Sequence, residues 1–279
     1  MARGQHLDGT RILITGGGSG IGRRMAIDAA KRGARVTVWD LSASAAAAVC
    51  AQITAAGGSA RYDTVNVADR DAVAATAGTV IAETGGIDVV VNNAGVVSGT
   101  RLLDTPESSI ERTFDVNVLA LYWVTRAFLP GMIERGRGTV VTIASAAGLV
   151  GVARQTDYSA SKWAAVGFTE SLRNELRADG HPVGTLTVCP YYIDTGMFAG
   201  VSTRFPRLLP ILDQDVVARR VVDAVESGRE QLIMPPLVAI LPGMRLLPTR
   251  LFDRLTDFFG VNRTMDHFTG RAGSAVGRE

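Results

Sequence analysis

The segment Thr15-Gly16-Gly17-Gly18-Ser19-Gly20-Ile21-Gly22 joins the apolar run Arg11 to Ile14 to a helix-forming stretch, Ile21 to Arg32, that closes at Gly33. A strand that runs through glycines straight into a helix commits the chain to a β-turn-α unit, and Arg35 to Trp39 follows as a second strand. The alternation continues with an Ala-rich helix near 43–56, a strand near 60–65 and a helix near 69–83. Val89 to Val91, Thr139 to Ile143, Gly184 to Val188 and Gln231 to Met234 read as further strands. Strands alternating with helices predict a parallel sheet with helices on both faces. The strands are continuously apolar, as a sheet covered on both sides requires. The pattern predicts one α/β, doubly wound domain over residues 1–279, with neither repeats nor a low-complexity linker. A chain of 279 residues, 47% of them hydrophobic, can build one such core.

The glycine turn has a chemical use. Backbone N–H groups of a glycine loop approach a pyrophosphate closely, and the following helix N-terminus carries partial positive charge. Gly16, Gly18, Ser19, Gly20, Ile21 and Gly22 are therefore candidate cofactor contacts. Asp40 ends the second strand about 20 residues further on. A carboxylate there accepts hydrogen bonds from an adenosine ribose and repels a 2′-phosphate. Leu41 follows with no Arg beside it, which favours NAD over NADP. Asp40 has a second available role, as the cap of the next helix.

Lysine occurs only at positions 31 and 162; every other basic residue is arginine. Lys162 stands four residues after Tyr158, on the same face of a helix. An ammonium close to a phenol favours the phenolate, so the pairing predicts a Tyr158 pKa lowered toward neutrality and a general acid/base. Ser145 ends a buried strand and opens a small-residue loop, leaving its hydroxyl either for a cleft or for its own backbone. Asn117 lies inside an apolar helical stretch, where a buried amide requires partners.

Several classes fall away. A formal net charge of +2 gives no reason to propose nucleic acid as a partner. His6, His181 and His267 have neither metal nor triad spacing and are expected to be solvated, so no metal site is expected. No Gly-x-Ser-x-Gly surrounds Ser145. Cys50 and Cys189 are expected to be buried thiols in a reducing compartment. The first nine residues lack an apolar run and no segment reads as long enough to span a bilayer, so a cytoplasmic location is expected.

The glycine pattern, Asn92-Asn93-Ala94-Gly95, Asn117, Ser145 and Tyr158-x-x-x-Lys162 occur together in an order and spacing that resemble the short-chain dehydrogenase/reductase family, over about residues 15–195. The resemblance implies a Rossmann-like domain in which Tyr158 is the acid/base. It further implies that Lys162 lowers the pKa of Tyr158 and holds the nicotinamide ribose. Ser145 would steady the substrate oxygen, and Asn117 would complete a proton relay. Asn92, Asn93, Ala94 and Gly95 are implied at the cofactor site, Asn66 and Val67 beside the adenine, and Pro190, Ile193 and Thr195 toward the nicotinamide. Asn66 replaces a common Asp, and Tyr191 a common Gly.

The segment about 191–214 is expected to be a substrate lid, and the Pro-rich stretch from 235 opens a C-terminal tail. Val152, Tyr191 and Met197 join Ser145 and Tyr158 as candidate substrate contacts, and the apolar lid suggests a lipophilic alcohol or ketone. The stretches Asn117 to Arg126, Thr203 to Asp213, Leu232 to Pro235 and Phe252 to Leu255 resemble the branch holding retinol and hydroxysteroid dehydrogenases. Leu251, Leu255, Phe258 and Phe259 recur at helical spacing, for docking on the body, a second subunit or a membrane. The family resemblance implies a homodimer or homotetramer. Two rival readings stay open: an NADP-dependent carbonyl or 3-oxoacyl reductase, and a catalytically silent cofactor-sensing or scaffold protein.

Overall fold

The structure is a computed structural model that describes residues 4 and 6–270. The end of the tail, 271–279, lies outside the described residues. The chain runs β1 (Arg11–Thr15), α1 (Gly20–Lys31), β2 (Arg35–Asp40), α2 (Ala43–Ala55), β3 (Ser59–Thr64), α3 (Arg70–Thr84) and β4 (Val89–Asn92). It continues through α4 (Glu107–Phe114), a π-helical turn (Asp115–Leu119), α5 (Ala120–Glu134), β5 (Thr139–Ile143), α6 (Thr156–Ala178) and β6 (Gly184–Pro190). Last come α7 (Gln214–Glu226), β7 (Gln231–Met234), the short α8 (Leu241–Met244) and α9 (Thr249–Phe258).

The seven strands form one sheet in the order β3-β2-β1-β4-β5-β6-β7, every pair parallel. This is the doubly wound sheet anticipated from the alternation. The period of two along each strand divides the core. Ile12, Ile14, Val89 and Val91 pack on the face covered by α1, α2 and α7. Leu13, Val90 and Val140 face the opposite layer, where Phe128 of α5 and Leu172 of α6 meet them. Each fully buried Val or Leu contributes roughly 1.5–3 kcal/mol to holding the layers together.

Three local predictions are corrected. The chain 107–134 forms one continuous helical run of 28 residues that is long and apolar enough to cross a membrane by length and composition alone. It packs on the sheet as a core helix, with Phe128 and Val124 buried. The π turn within it places Asn117 where sequence periodicity showed only an ordinary helix. The cap of α2 is Ser42, which accepts the Ala45 N–H; Asp40 instead accepts the Ser42 N–H at 2.9 Å. Cys50 and Cys189 are buried free thiols.

The tail turns back onto the body. The Arg245 guanidinium donates to the Leu149 carbonyl at 2.9 Å and lies 4.3 Å over the Trp163 ring. Phe205 of the lid packs between Phe258 and Phe259, and Arg204 donates to the Phe258 carbonyl at 2.9 Å.

Candidate active site

Parallel strands end at one edge of the sheet, and the loops leaving β1, β2, β4, β5 and β6 converge there on a cleft of about 590 Å³. That size lies within the range typical of small-molecule sites. One end is built by the glycine turn. Gly16, Ser19, Gly20 and Ile21 line the cleft at the N-terminus of α1, whose first turn carries no acidic residue. Gly18 and Gly22 stand behind that wall. Gly18 donates its N–H to Asp40 Oδ2 at 2.8 Å, and a Cβ at Gly22 would run into the Gly16 carbonyl oxygen. These two glycines allow the turn to close on α1 and β2, and neither is part of the cleft lining.

Asp40 lines the cleft from the end of β2, with Asn66, Val67 and Trp39 beside it. Asn66 accepts the Ala68 N–H at 3.2 Å, which shapes its own turn. The stretch after β4 splits according to the strand period. Asn92 follows Val90 onto the α5 face and donates to Thr125 Oγ1 at 3.1 Å, so it is not on the cleft wall as the resemblance implied. Asn93, Ala94 and Gly95 are on the wall. The Asn93 amide donates to the carbonyls of Thr15 (2.9 Å) and Gly16 (3.1 Å), tying the β4 loop to the glycine turn.

The other end holds the candidate catalytic groups. Ser145, Tyr158 and Lys162 all face the cleft. Helix geometry puts Tyr158 and Lys162 on one face of α6, and the ammonium lies over the phenol ring, 5.6 Å from its centre. Lys162 donates to the Ile143 carbonyl at 2.8 Å. The Ser145 hydroxyl accepts the Ala147 N–H at 3.1 Å and lies close enough to the phenol to favour its ionised form, so the local role leaves room for the chemical one.

Electrostatics correct the sequence argument here. Burial pushes the Tyr158 phenol above its ordinary range, and the Ser145 hydrogen bond only partly offsets this. Burial also lowers the Lys162 ammonium to about 8, with Cys189 opposing. Desolvation penalises both charged forms, and spacing along a sequence carries no information on it.

Asn117 is buried behind the wall. Its Oδ1 accepts the Val96 N–H at 2.8 Å, and its Nδ2 donates to the Val96 carbonyl at 2.9 Å and to Ser161 Oγ at 3.0 Å. The side chain thus clamps the β4 loop to α6.

Pro190, Tyr191, Ile193, Thr195, Met197 and Val152 all reach the cleft. Residues not singled out in the sequence join them. Phe198 packs edge-on to Tyr158 with ring centres 5.7 Å apart. Gln155 donates to the Tyr192 hydroxyl at 3.3 Å, and that hydroxyl pairs with Thr264 Oγ1 at 2.8 Å. The tail contributes Leu237, Val238, Met244 and Phe259 as a distal apolar wall. The apolar stripe of the tail signalled docking, but nothing in it signalled docking onto this cleft. Among the described residues no cluster of His, Cys, Asp and Glu suits a metal ion.

Comparison with known proteins gives a consistent picture. The family model described as short chain dehydrogenase matches residues 10–204. Epidermal retinol dehydrogenase 2 of Mus musculus is 38% identical over 271 residues, covering 96% of this chain and 87% of the relative. Retinol dehydrogenase 10 of Rattus norvegicus is 37% identical over 299 residues, with the same two coverages of 96% and 87%. Among solved structures, a short chain dehydrogenase/reductase from Burkholderia phymatum in complex with NAD superposes with a TM-score of 0.78 at 28% identity, covering 90% of this chain and 96% of that one. A metagenomic short-chain oxidoreductase in complex with NADP gives a TM-score of 0.69 at 32% identity, covering 82% and 96%.

Proposed function

The chain belongs to the short-chain dehydrogenase/reductase family, on its retinol dehydrogenase branch, and we propose that this oxidoreductase uses NAD to interconvert a lipophilic alcohol and its carbonyl. The observation that carries this reading is the meeting of Ser145, Tyr158 and Lys162 on one wall of a cleft whose other end is a helix N-terminus and whose far side is apolar. The glycine-turn wall, free of acidic groups in the first turn of α1, suits a pyrophosphate. Asp40, with its carboxylate on the cleft wall, suits a ribose and disfavours a 2′-phosphate. NAD held there would supply the two-electron redox chemistry.

The remaining work falls to side chains. Ser145 orients the alcohol oxygen toward the phenol. Tyr158 takes the hydroxyl proton in oxidation and returns it in reduction. The Lys162 ammonium, 5.6 Å from the centre of the phenol ring, is the positive charge to set against the burial that disfavours the phenolate. Both side chains are buried along the cleft wall, which limits their contact with water. Met197, Val238 and Phe259 offer apolar contacts to a long hydrocarbon body, in keeping with the retinol dehydrogenase names of two relatives.

The test is a panel of retinol, hydroxysteroids and long-chain alcohols assayed with NAD and NADP, alongside Tyr158→Phe. Turnover of an apolar alcohol with NAD, lost in the variant, supports the reading. Preference for NADP overturns the cofactor assignment, a reading the NADP-bound neighbour keeps in view. Absence of turnover across the panel favours a silent protein.

Two associations accompany the proposal. Tyr122 and Trp163, 43% and 40% exposed, leave apolar area on α5 and α6 for a homodimer or homotetramer, which sedimentation would reveal. Leu246, 91% exposed on the docked tail, offers peripheral contact with a membrane, in addition to the cytoplasmic location. Liposome flotation of wild type and Leu246→Ser would separate the two locations.

A further inference from the structure

Asp157 stands one residue before Tyr158 in the first turn of α6, and it is 5% exposed. A buried carboxylate needs hydrogen bonds to offset lost hydration. Both of its oxygens have them, from neutral hydroxyls on two other segments. Ser98 Oγ donates to Oδ1 at 2.7 Å from the loop after β4, and Thr113 Oγ1 donates to Oδ2 at 2.8 Å from α4. The same Thr113 hydroxyl lies 2.8 Å from the Ser109 carbonyl, so its one proton is shared between the carboxylate and its own helix. The helix N-terminus adds a favourable dipole for an acidic side chain.

The loop that Ser98 belongs to is the cleft wall: Gly95 and Val96 line it. That loop is therefore held to α6 at two points. Asn117 grips Val96 and bonds Ser161, while Asp157 grips Ser98 directly. Asp157 and Ser161 are four apart on α6, as are Tyr158 and Lys162 on the adjoining face. One pair fastens the helix to the loop, and the other faces the cleft.

We propose that Asp157 is a positioning residue that sets the Tyr158 phenol against the Gly95–Val96 wall. This rests on the reading of Tyr158 as the acid/base. Loss of the Asp157–Ser98 tie lets the loop and the phenol drift apart, and misplacement of about 1 Å costs about 100-fold in rate. The cofactor's other contacts, at the glycine turn and Asp40, are untouched.

The test uses the full chain with retinol and NAD, comparing Asp157→Ala, Ser98→Ala and Tyr158→Phe with wild type. The expected result is a kcat lower by about 100-fold in Asp157→Ala, a smaller fall in Ser98→Ala, and a KM for NAD close to wild type in both. Amide hydrogen exchange should quicken over residues 96–100 in both variants, a readout that needs no substrate. If Asp157→Ala does not fold, Ser98→Ala breaks the same tie from the loop side. Unchanged kcat, unchanged exchange over 96–100, or a KM for NAD that rises in step with the loss of kcat overturns the proposal. Wild-type turnover in Tyr158→Phe sinks the acid/base reading and with it the catalytic half of this one. Failure confined to the Asp157 and Ser98 variants sinks the positioning role alone.

Discussion

The Lys162 ammonium lies 5.6 Å from the centre of the Tyr158 ring and donates to the Ile143 carbonyl at 2.8 Å. The two side chains share a face of α6, and burial acts on them in opposite directions. It raises the phenol and lowers the ammonium to about 8. Burial thus favours the protonated phenol, the form that would donate in carbonyl reduction under the proposed acid/base role. The charged form of Lys162 is present below about 8 and is lost as pH rises through that value. The kcat/KM for reduction should therefore be level through neutrality and fall on the alkaline side with a midpoint near 8. Lys162→Arg keeps its charge at every working pH, so its alkaline limb should move upward even where the maximum is lower. A limb that stays in place would assign it to another group.

Asp40 Oδ2 accepts the Gly18 N–H at 2.8 Å while Oδ1 accepts that of Ser42 at 2.9 Å, so one carboxylate shapes the glycine turn and faces the cleft. Asp40→Ala should raise the KM for NAD by about ten- to a hundred-fold, the scale of a lost charged hydrogen bond. The KM for NADP should rise less, because the repulsion of a 2′-phosphate also disappears. Titrating both cofactors measures the ratio; equal losses would leave Asp40 with the turn alone.

At the opposite end of the sheet, Arg11 grips Asp88 through Nη2–Oδ1 at 2.7 Å and Nε–Oδ2 at 2.8 Å. Burial pushes the Asp88 carboxyl up, yet the Arg11 hydrogen bonds and charge outweigh it and hold the group below its usual range. Its stabilising contribution is complete above the ordinary carboxylate pKa and declines as pH falls through the lower folded value. Asp88→Ala should cost about 1.5–3 kcal/mol, the scale of lost charged hydrogen bonds, since Arg11 keeps its bond to the Thr84 carbonyl and some solvent contact. Urea unfolding should register this at neutral pH, with the gap to wild type narrowing in acid and NAD affinity unaltered.

Gly99 has φ +71°, and the Phe268 ring packs where a Cβ would point. Gly99→Ala should cost about 1–2 kcal/mol in backbone strain and displace Phe268 from Phe198, its neighbour at 6.4 Å. The tail should then loosen, and trypsin should cut faster at the exposed Arg263. Unchanged cleavage would mean that Tyr192–Thr264 and Arg154–Asp266 hold the segment without Phe268.

Strand and helix order was legible because it depends on local chemistry: the glycine turn, the apolar runs and the helix-forming stretches each act over a few residues. The same holds for the pairing of Tyr158 with Lys162, which needs only the pitch of a helix. The facing of Asn92 toward Thr125 was legible in principle, since the period of β4 carries it there, but the family pattern pointed elsewhere. The role of Asn117 was half visible: a buried amide in an apolar helix demands partners, but Val96 and Ser161 become its partners only across a π turn and a chain crossing.

Sequence alone thus determined the layers, the order of the strands' helical crossovers and the set of side chains available for chemistry, because these follow from periodicities and conformational preferences of neighbouring residues. Tertiary structure alone decided the sign of the Tyr158 shift, the buried tie from Asp157 to Ser98 and the use of the tail as a cleft wall. Each of those depends on desolvation or on contact between segments far apart in the chain, and such terms exist only once the sheet has brought the segments together.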